Sequence, residues 1–213
     1  MRLLVLILIL IPLTPKKTTL SYLALGDSYT IGESVGMEDR YPVQVMRMLH
    51  LNDTPDIIAT TGWTTADLLR ALAVAKPAAG YQVVSLLIGV NNQYQGRSQA
   101  EYGEQFTELL KAAIDLAGNR PSHVIVLSIP DYSVTPFARQ RETAFIAAQI
   151  DSFNRINNRI AADYNVNYLD ITAESRKAAS DPTLIAGDGL HFSGKEYGIW
   201  ASMMAPVLKK LWE

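Results

Sequence analysis

The chain has 213 residues, the length of one ordinary domain with a single sizeable core. Hydrophobic residues make up 48% and charged residues 19%, which excludes a disordered, collagenous or coiled-coil chain. With 19 Lys+Arg against 21 Asp+Glu and no Cys, nucleic acid is not an expected partner, and disulfides, thiolate metal sites, a thiol nucleophile and an acylated lipoprotein cysteine are all excluded.

The chain begins with Arg2 and an apolar run from Leu3 to Leu13, the charged and hydrophobic regions of a secretory leader and too short to span a bilayer comfortably. The following Pro12-Leu13-Thr14-Pro15-Lys16-Lys17 lacks an Ala-x-Ala-like cleavage site. Residues 1–18 are therefore expected to be a signal peptide or an N-terminal anchor, and 19–213 a single domain. Export to the periplasm or medium is expected, a cytoplasmic chain being the alternative, with membrane contact only through the leader.

Beyond Thr18, short β-branched apolar runs alternate with longer stretches of helical period. Strands are predicted at Tyr22–Leu25, Asp56–Ala59, Val83–Ile88, His123–Ile129 and Val166–Leu169. Helices are predicted at Pro42–Leu49, Thr65–Ala75, Gln99–Leu116, Thr143–Tyr164 and Gly194–Trp212. Two of these carry capping-box spacings, Ser98-x-x-Glu101 and Ser193-x-x-Glu196. The alternation predicts an α/β fold, a five-stranded parallel sheet covered on both faces in a three-layer α/β/α sandwich. Ligands then bind beyond the carboxyl ends of the strands, and the residues just after each strand carry the chemistry.

The first strand runs into Gly26-Asp27-Ser28, a serine delivered on a tight turn. The second leads to Thr61-Gly62-Trp63-Thr64, where a glycine exposes a bare backbone N–H and the threonines can cap a helix. The third meets Gly89-Val90-Asn91-Asn92, read as a turn. Near the end comes Asp188-x-x-His191, a spacing that lets a carboxylate hold an imidazole in one tautomer. The other two histidines, His50 and His123, stand at a helix end and a strand start. No His has an H-x-H or H-E-x-x-H spacing, so zinc is not expected.

Gly26-Asp27-Ser28, Gly62, Gly89-x-Asn91 and Asp188-x-x-His191 together resemble the four blocks of the SGNH (GDSL) hydrolases, over essentially the whole chain after the leader. The resemblance implies a flavodoxin-like sheet and a cofactor-free serine esterase with Ser28 as nucleophile and Asp188 and His191 as acid and base. It implies an oxyanion hole formed by the Ser28 N–H, Gly62 and Asn91. The size is similar to the branch holding thioesterase/lysophospholipase enzymes and small acetylesterases, so the expected partner is a small ester: a short-chain ester, a lysophospholipid or an acylated carbohydrate. Tyr29, Asn92 and Phe192 stand where the family commonly has leucine, aspartate and proline. Tyr94 and the loop Pro130–Phe137, with Tyr132 and Phe137, are expected to wall the acyl pocket. A catalytically silent lipid- or glycan-binding module is the alternative, but it requires loss of a triad position and all three are present.

One internal rival exists. Gly32-Glu33-Ser34-Val35-Gly36 matches the G-x-S-x-G elbow, yet Ser34 follows no second strand, and only one strand precedes it where an elbow needs several. Ser34 is therefore expected to be a mobile loop residue beside the site.

Overall fold

The computed structural model describes residues 20–212; the leader read at 1–18 lies outside them. Five strands form one parallel sheet: β1 Tyr22–Gly26, β2 Asp56–Ala59, β3 Val83–Leu87, β4 Val124–Leu127 and β5 Asn167–Leu169. Their order is β2-β1-β3-β4-β5. The three inner strands read YLALG, VVSLL and VIVL and are buried throughout, as strands covered on both faces must be, whereas the edge strands β2 and β5 are only partly buried.

Eight helices occur among the described residues: α1 Ser28–Ile31, α2 Tyr41–Met48, α3 Thr65–Ala75, α4 Val90–Tyr94, α5 Gln99–Leu116, α6 Thr143–Asp163, α7 Thr172–Ser175 and α8 Gly194–Trp212. The five long ones stand where the hydrophobic period put them, within a residue at each end. The short α1, α4 and α7 escape that period because four or five residues complete barely one turn. Pro121 opens a 3-10 turn through His123, so β4 begins one residue later than predicted.

The β1-to-β2 crossover steps one way across the sheet and every later crossover steps the other. With right-handed crossovers, this puts α2 on one face and α3, α5 and α6 on the other. The C-terminal α8 packs on α2. The reversal falls between β1 and β3, the switch point where a doubly wound sheet opens a crevice. Gly26 pairs with Ala59 on one side and Leu87 on the other, so the loops leaving all three strands start level with one another.

The predicted capping boxes form only by half. The Ser98 and Ser193 hydroxyls accept from Glu101 N (3.1 Å) and Glu196 N (3.4 Å), but Glu101 turns to Gln105 and Glu196 accepts from Trp200 Nε1 at 2.7 Å in the core. The complete box is at α3, where Thr64 and Asp67 each receive the other's backbone N–H.

Candidate active site

Gly26 ends β1 where a Cβ would lie 2.1 Å from Thr30 Oγ1 and 2.5 Å from the Leu87 carbonyl. Only glycine lets the chain turn this closely against β3. Asp27 caps α1, accepting from Tyr29 N at 3.1 Å, and Ser28 begins the helix almost buried. Asp27 has no accessible surface; burial pushes its carboxyl up to about 7, against the opposing pull of the Tyr29, Asp27 and Gly89 backbone N–H groups.

Gly89 follows β3 at φ 131°, hemmed in by Ile129 and Tyr102, each 2.7 Å from a would-be Cβ. It turns the chain into α4, so Asn91 and Asn92 stand on a helical turn rather than in the simple turn expected. The two asparagines diverge. Asn91 faces the crevice and donates from Nδ2 to the Trp63 carbonyl at 2.9 Å. Asn92 is buried and clamps α3, accepting from Thr65 N at 3.0 Å and donating to Thr65 Oγ1 at 2.7 Å. Asn92, in place of the family's aspartate, is thus a brace between two helices.

His191 and Asp188 meet across a short loop: His191 Nδ1 is 2.5 Å from Asp188 Oδ2. Asp188 also shapes its own loop, its Oδ1 accepting from Leu190 N and His191 N, each at 2.9 Å. Partial burial alone would raise its pKa. The hydrogen bonds from His191, Leu190 and Ser34 outweigh that and hold the carboxyl well below the usual range. The loop is fastened by Ala186 N to the His191 carbonyl (2.8 Å) and by Phe137 N to the Gly189 carbonyl (2.9 Å).

Ser28, Asn91 and His191 line one cavity of about 280 Å³, together with Tyr29, Val90, Tyr94, Tyr132, Phe137 and Leu190. Within that lining Tyr94, Tyr132 and Phe137 contact one another with ring centroids 6.2–6.4 Å apart. Arg141 lies across its outer side, 4.5 Å from the Phe137 ring and 5.2 Å from that of Tyr94. Sequence reading missed this arginine, since nothing local marks a cation that folds back onto two rings.

Gly62 is outside the lining residues. It sits at φ 87° on an exposed turn with open space where a Cβ would point. The turn is tied to the site by the Asn91–Trp63 hydrogen bond. Tyr29 and Phe192, the other two departures from the family pattern, pack against each other (5.8 Å between centroids) and against Trp200. Tyr29 meets the His191 ring edge-on at 5.8 Å. They are partners in one aromatic cluster backing the imidazole.

Ser34 lies on the loop after α1, not between a strand and a helix. Its hydroxyl donates to Asp188 Oδ2 at 2.8 Å. It touches the carboxylate and not the imidazole, so the rival elbow lacks a base.

A serine at a strand end, a carboxylate-bound imidazole and a side-chain amide around one apolar cavity at the switch point of a parallel sheet are the equipment of an acyl-transferring hydrolase. The chain belongs to the GDSL-like lipase/acylhydrolase family, whose model matches residues 24–199, and it is accordingly a hydrolase of the esterase/lipase type. Among solved structures, TesA superposes with a TM-score of 0.70 at 16% identity, covering 90% of this chain and 99% of its own. A lipase/acylhydrolase from Enterococcus faecalis gives 0.65 at 20% identity over 90% and 96%. The acetylxylan esterase Axe2 from Geobacillus stearothermophilus gives 0.66 at 19% identity over 89% and 94%. At these identities the likeness is one of fold. No curated protein matches this chain in sequence.

Proposed function

We propose that this protein hydrolyses small acyl esters through a covalent acyl-serine. The observation that carries the reading is the 2.5 Å contact of His191 Nδ1 with Asp188 in a cavity that His191 shares with Ser28. With Nδ1 engaged, Nε2 is the ring nitrogen left to take the Ser28 proton. The Ser28 oxygen attacks the ester carbonyl while Asp188 steadies the imidazolium. His191 returns the proton to the departing alkoxide, and water, deprotonated by the same ring, releases the acid. The Ser28 N–H, Gly62 N–H and Asn91 Nδ2 hold the tetrahedral oxyanion; Asn91 keeps a second amide N–H for that purpose while Trp63 fixes the first.

The acyl group occupies the aromatic cavity. About 280 Å³ is near the lower end of ligand pockets, which favours short acyl groups carried on a small alcohol or a sugar over long fatty chains. Among the described residues no three His, Cys, Asp or Glu side chains gather as a metal site. No helix of the described residues is long and apolar enough to cross a membrane; export is inferred from the apolar leader alone.

The test is a series of nitrophenyl esters from acetyl to palmitoyl. Turnover is expected to peak in the short chains, and Ser28→Ala is expected to lose on the order of 10⁴-fold or more together with fluorophosphonate labelling. Labelling that persists in Ser28→Ala overturns the assignment.

A further inference from the structure

We propose that Ser34 is a positioning residue for the acid–base pair, its hydroxyl completing the hydrogen-bond shell of Asp188. The inference rests on reading Asp188 and His191 as acid and base. An ionised carboxylate offers about four lone-pair sites. Here Oδ1 takes the Leu190 and His191 N–H groups, and Oδ2 takes His191 Nδ1 at 2.5 Å and the Ser34 hydroxyl at 2.8 Å. All four sites are filled, and the Ser34 bond is the one that comes from outside the acid's own loop.

The turn that presents Ser34 is built for it. Gly32 closes α1 at φ 72°, and Ser34 itself sits at φ 65°, a region that favours glycine over residues with a side chain. A serine held there accepts strain in exchange for a hydroxyl at that point in space. The preceding Glu33 accepts a hydrogen bond from Thr61 Oγ1, next to Gly62. The turn thus spans the site, one residue bound to the acid loop and its neighbour to the loop of the proposed oxyanion glycine.

The hydroxyl does two things to the pair. It fixes the rotation of a carboxylate whose side chain is 31% accessible, and it draws negative charge from the oxygen that faces the imidazole. Without it the carboxylate swings more freely and keeps more negative charge on the oxygen facing the imidazole, which favours the charged acid–base pair and moves the acid limb of the rate profile to higher pH. The other titratable groups around the pair are Glu33 on the same turn, Asp27 and Tyr29 of the nucleophile turn and Tyr197 of α8; none is altered by a change at Ser34.

The experiment measures kcat, KM and the pH profile of kcat/KM for Ser34→Ala and Ser34→Gly, each alone and in an Asp188→Asn background. Both single variants are expected to lower kcat about threefold to tenfold, part of the worth of one hydrogen bond to an ionised group, because the other three donors still hold the carboxylate. KM should change less than about twofold, and the acid limb should move up by roughly half a pH unit. In the Asp188→Asn background the further change should fall below about twofold, because the partner is gone. A residue that only shapes the turn predicts the opposite for Ser34→Gly, since glycine suits φ 65° better: full activity and an unmoved limb, which overturns the proposal. Equal losses with and without Asp188 overturn it as well. Turnover surviving in Ser28→Ala would instead remove the underlying mechanism, so the two failures are distinguishable.

Discussion

Asp27 and Asp188 are both carboxylates of the same site, and their surroundings drive them to opposite states. Asp27 is sealed beneath the nucleophile turn, where burial pushes its carboxyl up to about 7. Asp188 lies on a partly exposed loop, and its hydrogen bonds hold it well below the ordinary range despite its partial burial. The first serves as a helix cap and buried strut; the second is the only one in contact with an imidazole. Solvation and donor count, not residue type, separate the carboxylate that caps a helix from the one proposed as the acid. The same division runs through the neighbouring asparagines, Asn91 facing the cavity and Asn92 bracing α3.

The comparison breaks most decisively at Asp188. Asp188→Asn is expected to cut kcat on nitrophenyl acetate by about 10³-fold or more while shifting Tm by only about 2 °C, because the group acts on charge developed in the reaction. A large Tm loss with modest loss of rate would make Asp188 a builder like Asp27. Next comes the asparagine pair. Asn91→Ala should lower kcat by about 10²-fold with the fold intact, whereas Asn92→Ala should cost chiefly stability, since it strands Thr65 N in the core. A larger kcat loss from Asn92 would reverse their roles.

Asp27 is tested through its titration. A folded-state pKa near 7 against about 3.8 for an ordinary exposed aspartate means that the folded chain binds the proton more tightly. Its contribution is fully present below about pH 4 and is lost as pH rises through about 7. Relative to Asp27→Asn, the wild-type Tm should therefore fall between pH 4 and pH 8 by about 4 °C or more; parallel curves would show Asp27 ionised throughout. The smallest effect concerns Asp188, whose lowered pKa gives a contribution present above the unfolded value and lost only in strong acid. The kcat/KM profile should accordingly show no step from Asp188 near pH 4; such a step would place its carboxyl at the ordinary value.

The long elements were legible because a buried parallel sheet leaves continuous β-branched runs and its covering helices a clear period. The candidate site was legible in local signals: Gly26 and Ser28 just after β1, Asn91 just after β3, and the Asp188-x-x-His191 spacing ahead of α8. What escaped was set by contacts between distant residues. Ser34 and Asp188 are 154 positions apart, and only the closed fold reveals their hydrogen bond. Arg141 reaches two rings from separate loops. Glu196 had the spacing of a capping residue but is drawn into the core by Trp200, four residues on along the same helix.

The site draws its parts from the two extremes of the domain: Ser28 leaves the first strand, while His191 stands just ahead of the last helix, whose Trp200 sits in the aromatic cluster behind the imidazole. On the proposed mechanism a growing chain carries its serine long before it has a base to activate it. All five strands precede that base, so the sheet can be complete while the proposed acid–base pair is still missing. On that mechanism, shortened chains that stop before residue 191 should be silent toward esters however well their sheet is formed, since the sheet carries the serine but not its proposed base.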